Sequence, residues 1–236
     1  MHYHVGTFNG SHFVEENPNG RIRWLNWGTD CYAGVTLNNV CGRRIMIFWV
    51  NNWNYAQMRS QVYKGAESFA VELSLRRVGD DYQVLQMPVT ELDKCATNAA
   101  TYSKAQAEAG IRVPIDDRQA YKIVAYIGGP GNFQIKLVYG IGSDVQVRIY
   151  NNFAEKTMSV EKTNVDPAAN GTKVTHSAPY DAANQTRLLL LVDLHSMTLI
   201  MDAGWPVFTE LLVPIVRSRI LVVDGPSQVD VSVTRY

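Results

Sequence analysis

Residues 42–56 read GRRIMIFWVNNWNYA, and this stretch decides how the chain folds. Its core, RRIMIFWV at 43–50, is a short apolar run bounded by Gly and Asn, and it reads as a strand. Similar runs lie on both sides. Upstream are RIRWLNW (21–27) and YAGVTL (32–37). Downstream are SFAVELSLRRV (68–78) and, after the turn Gly79-Asp80-Asp81, YQVLQMPV (82–89). Nearer the start, HYHVGTF alternates up to Asn9-Gly10, a hairpin signal, and SHFVE resumes. Asn17-Pro18-Asn19-Gly20 then turns the chain again. Strands so spaced, with no amphipathic helix between them, predict antiparallel all-β structure.

The pattern changes at 91–110, ELDKCATNAATYSKAQAEAG, which is Ala-rich and polar without a wide apolar face. It reads as a linker, partly helical, ending at Gly110. From Arg112 the β pattern returns. YKIVAYIGG, NFQIKLVYG, DVQVRIYNN, KTMSVEK, TRLLLLVDLH, MTLIMDAG, VFTELLVPIV, SRILVVDG and SQVDVSVTRY are separated by Gly, Asn, Asp or Pro turns. Several alternate cleanly, which gives each strand one buried and one wet face and suits a two-sheet sandwich. Residues 164–184 are polar and read as a loop with one short strand.

Composition bounds the rest. Hydrophobic residues at 46% and charged residues at 19% describe a globular chain able to bury a core. The 22 basic and 22 acidic residues cancel without forming blocks, so neither nucleic acid nor a polyanion is an expected partner. No apolar run spans a membrane, and MHYHVGTFNG is not a secretion signal. Cys31, Cys41 and Cys95 have no metal-type spacing; Cys31 and Cys41 could pair across a hairpin, but small buried thiols are the preferred reading. Sequons at Asn9, Asn170 and Asn184 decide nothing about the compartment.

Three clusters carry more than periodicity. They are Asn26-Trp27-Gly28-Thr29-Asp30-Cys31-Tyr32-Ala33, then GRRIMIFWVNNWNYA, then Tyr63-Lys64-Gly65-Ala66 with VELSLR (71–76) and LQMPVTEL (85–92). In this order and spacing they resemble glycoside hydrolase family 32, the invertases, inulinases and levanases. The family runs D-Y-G-x-D-F-Y-A, G-R-R-I-x-I-G-W-M-x-N-W-x-Y-A, W-R-x-x-M-S-x-P-R-E-L and Q-x-P-V-x-E-L. Val192-Asp193-Leu194-His195-Ser196 and Val207-Phe208-Thr209-Glu210 look like a strand pair near the family's C-terminus.

The resemblance implies an incomplete β-propeller, about its last one or two blades, followed by an antiparallel two-sheet β-sandwich. The boundaries would be a partial propeller at 1–92, a linker at 93–111 and the sandwich at 112–236. It also implies a retaining mechanism with an Asp nucleophile and a Glu acid/base about 5–5.5 Å apart. A third, transition-state-steadying Asp stands in R-D-P. All three carboxylates belong to family segments that precede the one matching Val5–Phe13, so no catalytic residue is expected in this chain. The stretch EENPNGR (15–21) looks like the nucleophile loop N-D-P-N-G, but it stands after that segment, and Asn17 fills the Asp slot. An amide cannot form the glycosyl ester, so the stretch reads as a turn.

Three residues remain candidate sugar contacts through the resemblance. Asn26 fills the slot of the D-Y-G Asp; it either bonds a hydroxyl or ends a strand. Asp30 faces the pocket or satisfies backbone donors, the second reading being preferred. Trp49 offers a flat apolar face to a sugar or packs in the core. Phe48 replaces a Gly and would partly fill the pocket, and Thr29 replaces a residue that is often basic. With Ala70 and Val71 in place of Pro and Arg, Glu72 is expected to have no arginine partner, and His195 is expected at a strand surface or interface. No metal or cofactor is expected.

The expected role is a non-catalytic carbohydrate-binding or structural β-protein. The alternative is part of an active sucrose- or fructan-hydrolysing glycosidase, completed by a complementary propeller chain at the open blade edge. A homo-oligomer through that edge, with no sugar role, is the third reading. The compartment stays open, family members often being secreted or vacuolar.

Overall fold

The computed structural model describes residues 1–16, 20–56, 64–113, 120–139, 145–165, 173–212 and 219–236. Asn17, Pro18 and Asn19 of the EENPNGR turn, Tyr63 and the sequon Asn170 lie outside the described residues. The chain opens with four short strands, β1 (His2–Tyr3), β2 (Gly6–Phe8), β3 (Phe13–Glu15) and β4 (Arg23–Trp24). The hairpin between β2 and β3 forms where Asn9-Gly10 predicts it. Asn9 Oδ1 accepts the backbone N–H groups of Ser11 and His12, both at 3.0 Å, and Gly10 takes φ +101°.

An open antiparallel sheet follows, made of β5 (Tyr32–Thr36), β6 (Ile45–Val50), β7 (Ala66–Glu67), β8 (Val71–Val78) and β9 (Asp81–Pro88). Its order is β5-β6-β8-β9, with β7 also paired to β6. Strand β6 shows why the RRIMIFWV run carries no visible alternation. Met46, Phe48 and Val50 face a core shared with Leu25, Cys31 and Val71, while Trp49 turns to the opposite face. Phe48, at 2% exposure, belongs to that core.

Twelve strands build the rest. The first six are β10 (Asn98–Tyr102), β11 (Ile111–Val113), β12 (Tyr121–Gly128), β13 (Gln134–Tyr139), β14 (Gln146–Asn152) and β15 (Thr157–Thr163). The others are β16 (Lys173–Pro179), β17 (Gln185–Val192), β18 (Ser196–Met201), β19 (Val207–Leu211), β20 (Arg219–Asp224) and β21 (Val229–Arg235). They form two six-stranded antiparallel sheets, ordered β10-β21-β12-β17-β18-β19 and β11-β20-β13-β14-β15-β16. Between them lies one core in which Ile123, Ala125 and Ile127 of β12 share space with Ile135, Leu137 and Tyr139 of β13. The architecture is therefore an incomplete propeller region followed by a sandwich.

The 91–110 segment differs from a plain linker. Helix α1 (Lys104–Ala109) supplies the helical part, capped by a reciprocal Ser103–Gln106 box and ended by Gly110 at φ +97°. Residues 98–102, however, are the edge strand β10, paired to β21. NAATY lacks alternation because an edge strand with exposed side chains has little apolar surface to hide. The cysteines are free thiols; Cys41 and Cys95 are exposed, while burial pushes the Cys31 thiol up to about 12. Glu72 does have an arginine partner, Arg43, at 2.9 Å.

Strand β17 ties the halves together. Its LLLLV run is apolar on both faces because both are covered. Leu188, Leu190 and Val192 enter the sandwich core, while Leu189 and Leu191 pack with Phe69, Met87 and Leu92 from the blade side.

Candidate functional site

The polar centre of the molecule lies where the segment Asn26–Asp30 runs along β19, an edge of the first sandwich sheet. Trp27 N–H donates to Val207 O at 2.8 Å and Asp30 N–H to Thr209 O at 3.2 Å. The Asn26 side chain fills the gap between them. Its Nδ2 donates to Thr209 Oγ1 and its Oδ1 accepts Thr209 N–H, both at 2.8 Å. This contact requires Gly28, where a Cβ would stand 2.2 Å from Thr209 O. Segment and strand together close what would otherwise be an open sheet edge.

Asp30 and Glu210 stand on either side of Lys162, and all three are 0% exposed. Lys162 Nζ lies 2.6 Å from Glu210 Oε2 and 3.8 Å from Asp30 Oδ2. Glu210 Oε1 meets His176 Nδ1 at 2.9 Å. Asp30 accepts from Leu211 N–H at 2.7 Å, Asn52 Nδ2 at 3.0 Å and, by a short bond, the Tyr55 hydroxyl. Four stretches of chain thus converge: the 26–30 segment and the 52–55 turn from the blade side, β15–β16 and β19 from the sandwich.

Burial pushes the Asp30 carboxyl up; Lys162 pulls against it, but the nearby Glu210 charge adds to the rise, and the net is above the ordinary 3.8. Burial acts on Glu210 in the same direction, yet attraction to Lys162 and the bonds from His176 and Lys162 outweigh it and hold that carboxyl below 4.5. The two therefore act oppositely on stability. Glu210 contributes stabilisation that is present above pH 4.5 and lost as pH falls through its depressed value. Asp30 contributes stabilisation present below 3.8 and lost as pH rises through its raised value. Glu210→Gln is expected to flatten the acid side of the stability profile, read as thermal midpoints from neutral pH to below 4.5. The effect should persist at roughly 1 M salt, which screens exposed pairs such as Arg43–Glu91 far more than a buried one. A Glu210→Gln profile parallel to the wild type would contradict it.

The sequence candidates thus separate. Asn26 and Asp30 lie together in the buried junction, at 2% and 0% exposure, with their polar atoms engaged by Thr209, Leu211, Asn52 and Tyr55. Trp49 lies elsewhere, on the outer face of β6. Its Nε1 donates to Lys64 O at 2.8 Å, and its ring centroid is 5.5 Å from Trp53 and 6.2 Å from Tyr32. Trp49 and Trp53 border an open cleft of about 400 Å³, shared with Ala33, Val35 and Glu67. Among the described residues no cluster of His, Cys, Asp or Glu is arranged to hold a metal, and no helix is long and apolar enough to cross a membrane.

No family slot assigns a role to Lys162, Glu210, His176 or Tyr55, although Glu210 and Tyr55 stand within the matching motifs. A signal for two of them was there. Alternation puts Met158, Val160 and Lys162 on one face of β15, and Phe208, Glu210 and Leu212 on one face at β19. Each strand thus carries a charge in line with core residues, and the charges are opposite.

Comparison with known proteins matches residues 1–88 to the model of the glycosyl hydrolases family 32 N-terminal domain. A levanase of Bacillus subtilis is 28% identical over 229 residues, covering 91% of this chain and 33% of the levanase. A levanase of Bacillus sp. (strain L7) is 26% identical over 88% of this chain and 24% of its own length. Among solved structures, the exo-inulinase of Aspergillus awamori superimposes with a TM-score of 0.78 at 20% identity, over 100% of this chain and 49% of that one. The β-fructofuranosidase of Schwanniomyces occidentalis does so with a TM-score of 0.75 at 20% identity, over 99% of this chain and 52% of that one. The chain spans a quarter to a third of these levanases and about half of these solved structures. Residues 1–88 thus match the family 32 N-terminal model, and blade and sandwich together share their fold with the exo-inulinase and the β-fructofuranosidase.

Proposed function

We propose that this chain is a non-catalytic, carbohydrate-binding part of a family 32-type protein, and that fructose-containing sugars are its ligands. The observation that carries the reading is the Tyr32–Trp49–Trp53 group. Tyr32 is 45% and Trp53 69% exposed, an unusual share of aromatic surface to leave wet unless a ligand covers it. The flat faces suit the C–H side of a sugar ring, and Glu67 supplies a hydroxyl acceptor at the cleft's rim. Retaining hydrolysis needs two carboxyls about 5–5.5 Å apart across the scissile bond. Among the residues lining this cleft Glu67 is the one carboxylate, and Asp30 and Glu210 are buried against Lys162. Of the three candidates, Trp49 is thus the proposed sugar contact, while Asn26 and Asp30 fix the buried junction with β19.

The test is incubation of the purified chain with sucrose, inulin and levan. The expected result is no fructose release, together with calorimetric binding that Trp49→Ala weakens by about tenfold. Fructose release traceable to this chain would overturn the non-catalytic reading, and binding unchanged in Trp49→Ala would overturn the aromatic site.

A second reading has its own support. Strand β5 is an edge of its sheet, and Phe8, Phe13, Val14, Ile22, Val35 and Leu37 are exposed large apolar side chains of the same region. Such a surface suits pairing with further propeller blades on another polypeptide, which would complete an active fructan- or sucrose-hydrolysing glycosidase. Light scattering separates the binding role from use of this edge by a second copy of the chain. A mass of 26.4 kDa at working concentration fits the binding role, and a multiple of it fits self-association through this edge.

A further inference from the structure

The sandwich carries a second cleft, far along the fold from the aromatic one. It lies on the outer face of the sheet containing β20, β13 and β14, has a volume of about 290 Å³, and is lined by Asn132, Gln134, Arg148, Tyr150, Asn152 and Asp224 with neighbouring backbone. Register explains the convergence. Gln134 is directly opposite Asp224 on one side and Tyr150 on the other, so three strands place one side chain each in a single transverse row.

The row is preorganised. Arg148 Nε donates to Gln134 Oε1 at 3.0 Å, and Gln134 Nε2 donates to Asp224 Oδ2 at 3.4 Å, which fixes the amide between cation and carboxylate. The Arg148 guanidinium lies 4.4 Å from the centroid of the Tyr150 ring. At the end of the cleft, Phe153 N–H donates to Asn132 Oδ1 at 2.9 Å and Glu155 N–H to Asn152 Oδ1 at 3.2 Å. Both asparagines therefore have their oxygens occupied and their NH₂ groups left as donors. Buried Asn151 anchors the floor, accepting from Phe133 N–H at 2.6 Å and donating to Gly131 O at 3.0 Å.

We propose that this cleft is a binding site for a neutral, hydroxyl-rich ligand, a short saccharide, separate from the aromatic cleft of the blade. Two amide donors, the terminal nitrogens of Arg148 and the Asp224 carboxylate with acceptor capacity to spare face one space. Sugar hydroxyls, which both donate and accept, satisfy such a mixed set. The charges of Arg148 and Asp224 cancel, and the carboxylate repels phosphate or sulfate, so an anionic ligand fits poorly. A peptide strand fits poorly as well, because the cleft lies over the middle of the sheet and offers no edge for pairing. The volume is at the low end of small-ligand sites, about 300–1,000 Å³, which suits the end of a chain better than a polymer groove.

The experiment is calorimetric titration of the whole chain with inulin-type and levan-type oligofructosides, maltotriose as a non-fructose sugar, and gluconate as an anionic probe. Four proteins are compared: wild type, Asp224→Asn, Arg148→Met and Trp49→Ala, each checked for an unchanged far-UV spectrum and thermal midpoint. The expected result is neutral-sugar binding at two sites, one weakened by Trp49→Ala and a second that survives in Trp49→Ala and is about tenfold weaker in Asp224→Asn and Arg148→Met, the effect of losing one charge-assisted hydrogen bond. Sugar binding abolished by Trp49→Ala but untouched by both sandwich variants overturns this site and leaves the blade reading standing. Binding lost in the sandwich variants but untouched by Trp49→Ala does the reverse. Gluconate bound more tightly than every neutral sugar, or no probe bound by any protein, also overturns it.

Discussion

Lys162→Met is expected to cost about 3–5 kcal/mol of unfolding free energy, the range for removing one member of a buried ion pair. That is a large share of the roughly 5–15 kcal/mol that holds a domain folded. The reason lies in what is left behind. Asp30 and Glu210 would face one another in a dry junction without the ammonium between them, and Met supplies volume but no charge. The cheapest response is to protonate a carboxyl, which raises its folded-state pKa above the unfolded one. Stabilisation from such a group is present in acid and lost as pH rises, so the variant should gain relative to wild type as pH falls through 4.5. Urea unfolding at neutral and acid pH reads both effects. A loss under about 1 kcal/mol, as for an exposed pair, would show that the junction does not depend on its cation.

A triple replacement refines this. Asp30→Asn, Glu210→Gln and Lys162→Met together remove the charges while keeping the shapes, and should recover much of the single-variant loss, because buried pairs contribute little beyond an apolar substitute of equal volume.

The parts of the fold legible in sequence are those set by neighbours in the chain. The Asn9-Gly10 hairpin, the Gly79-Asp80 turn and the alternation of DVQVRIY each depend on a few adjacent residues, and each gives the structure observed there. Helix α1 was foreshadowed by KAQAEA between Ser103 and Gly110. Strand β10 was hidden because its partner is β21, more than a hundred residues away, and its own side chains stay wet. The same distance hid the roles of Asn26 and Asp30. Asn26 bonds Thr209 across 183 positions, and Asp30 bonds Leu211 across 181. A family slot can say that a polar residue stands at 26 or 30; it cannot say which sheet edge will come to meet it. Trp49 was placed more nearly by its sequence, since alternation with Phe48 forces one ring inward and the other out.

Phe208→Ala tests the other half of the same junction. Phe208 is 0% exposed in the sandwich core, opposite Leu199 of β18. Truncation of a buried Phe typically costs about 3–5 kcal/mol, the transfer free energy of the ring plus the cavity it leaves. Here the loss should spread beyond the core. Val207, Thr209 and Leu211 of the same strand reach toward the blade side, while Phe208, Glu210 and Leu212 reach into the sandwich. A cavity behind β19 therefore loosens the ladder that Asn26–Asp30 forms with it. Amide exchange should show this as faster exchange at Asp30 and Leu211, whose N–H groups donate to Thr209 O and the Asp30 carboxylate. Tyr126→Ala, at an exposed position in the middle of the same sheet, should leave those amides protected. If Phe208→Ala destabilises the chain yet leaves Asp30 and Leu211 as protected as in wild type, the sandwich core and the junction are independent, and β19 does not couple them.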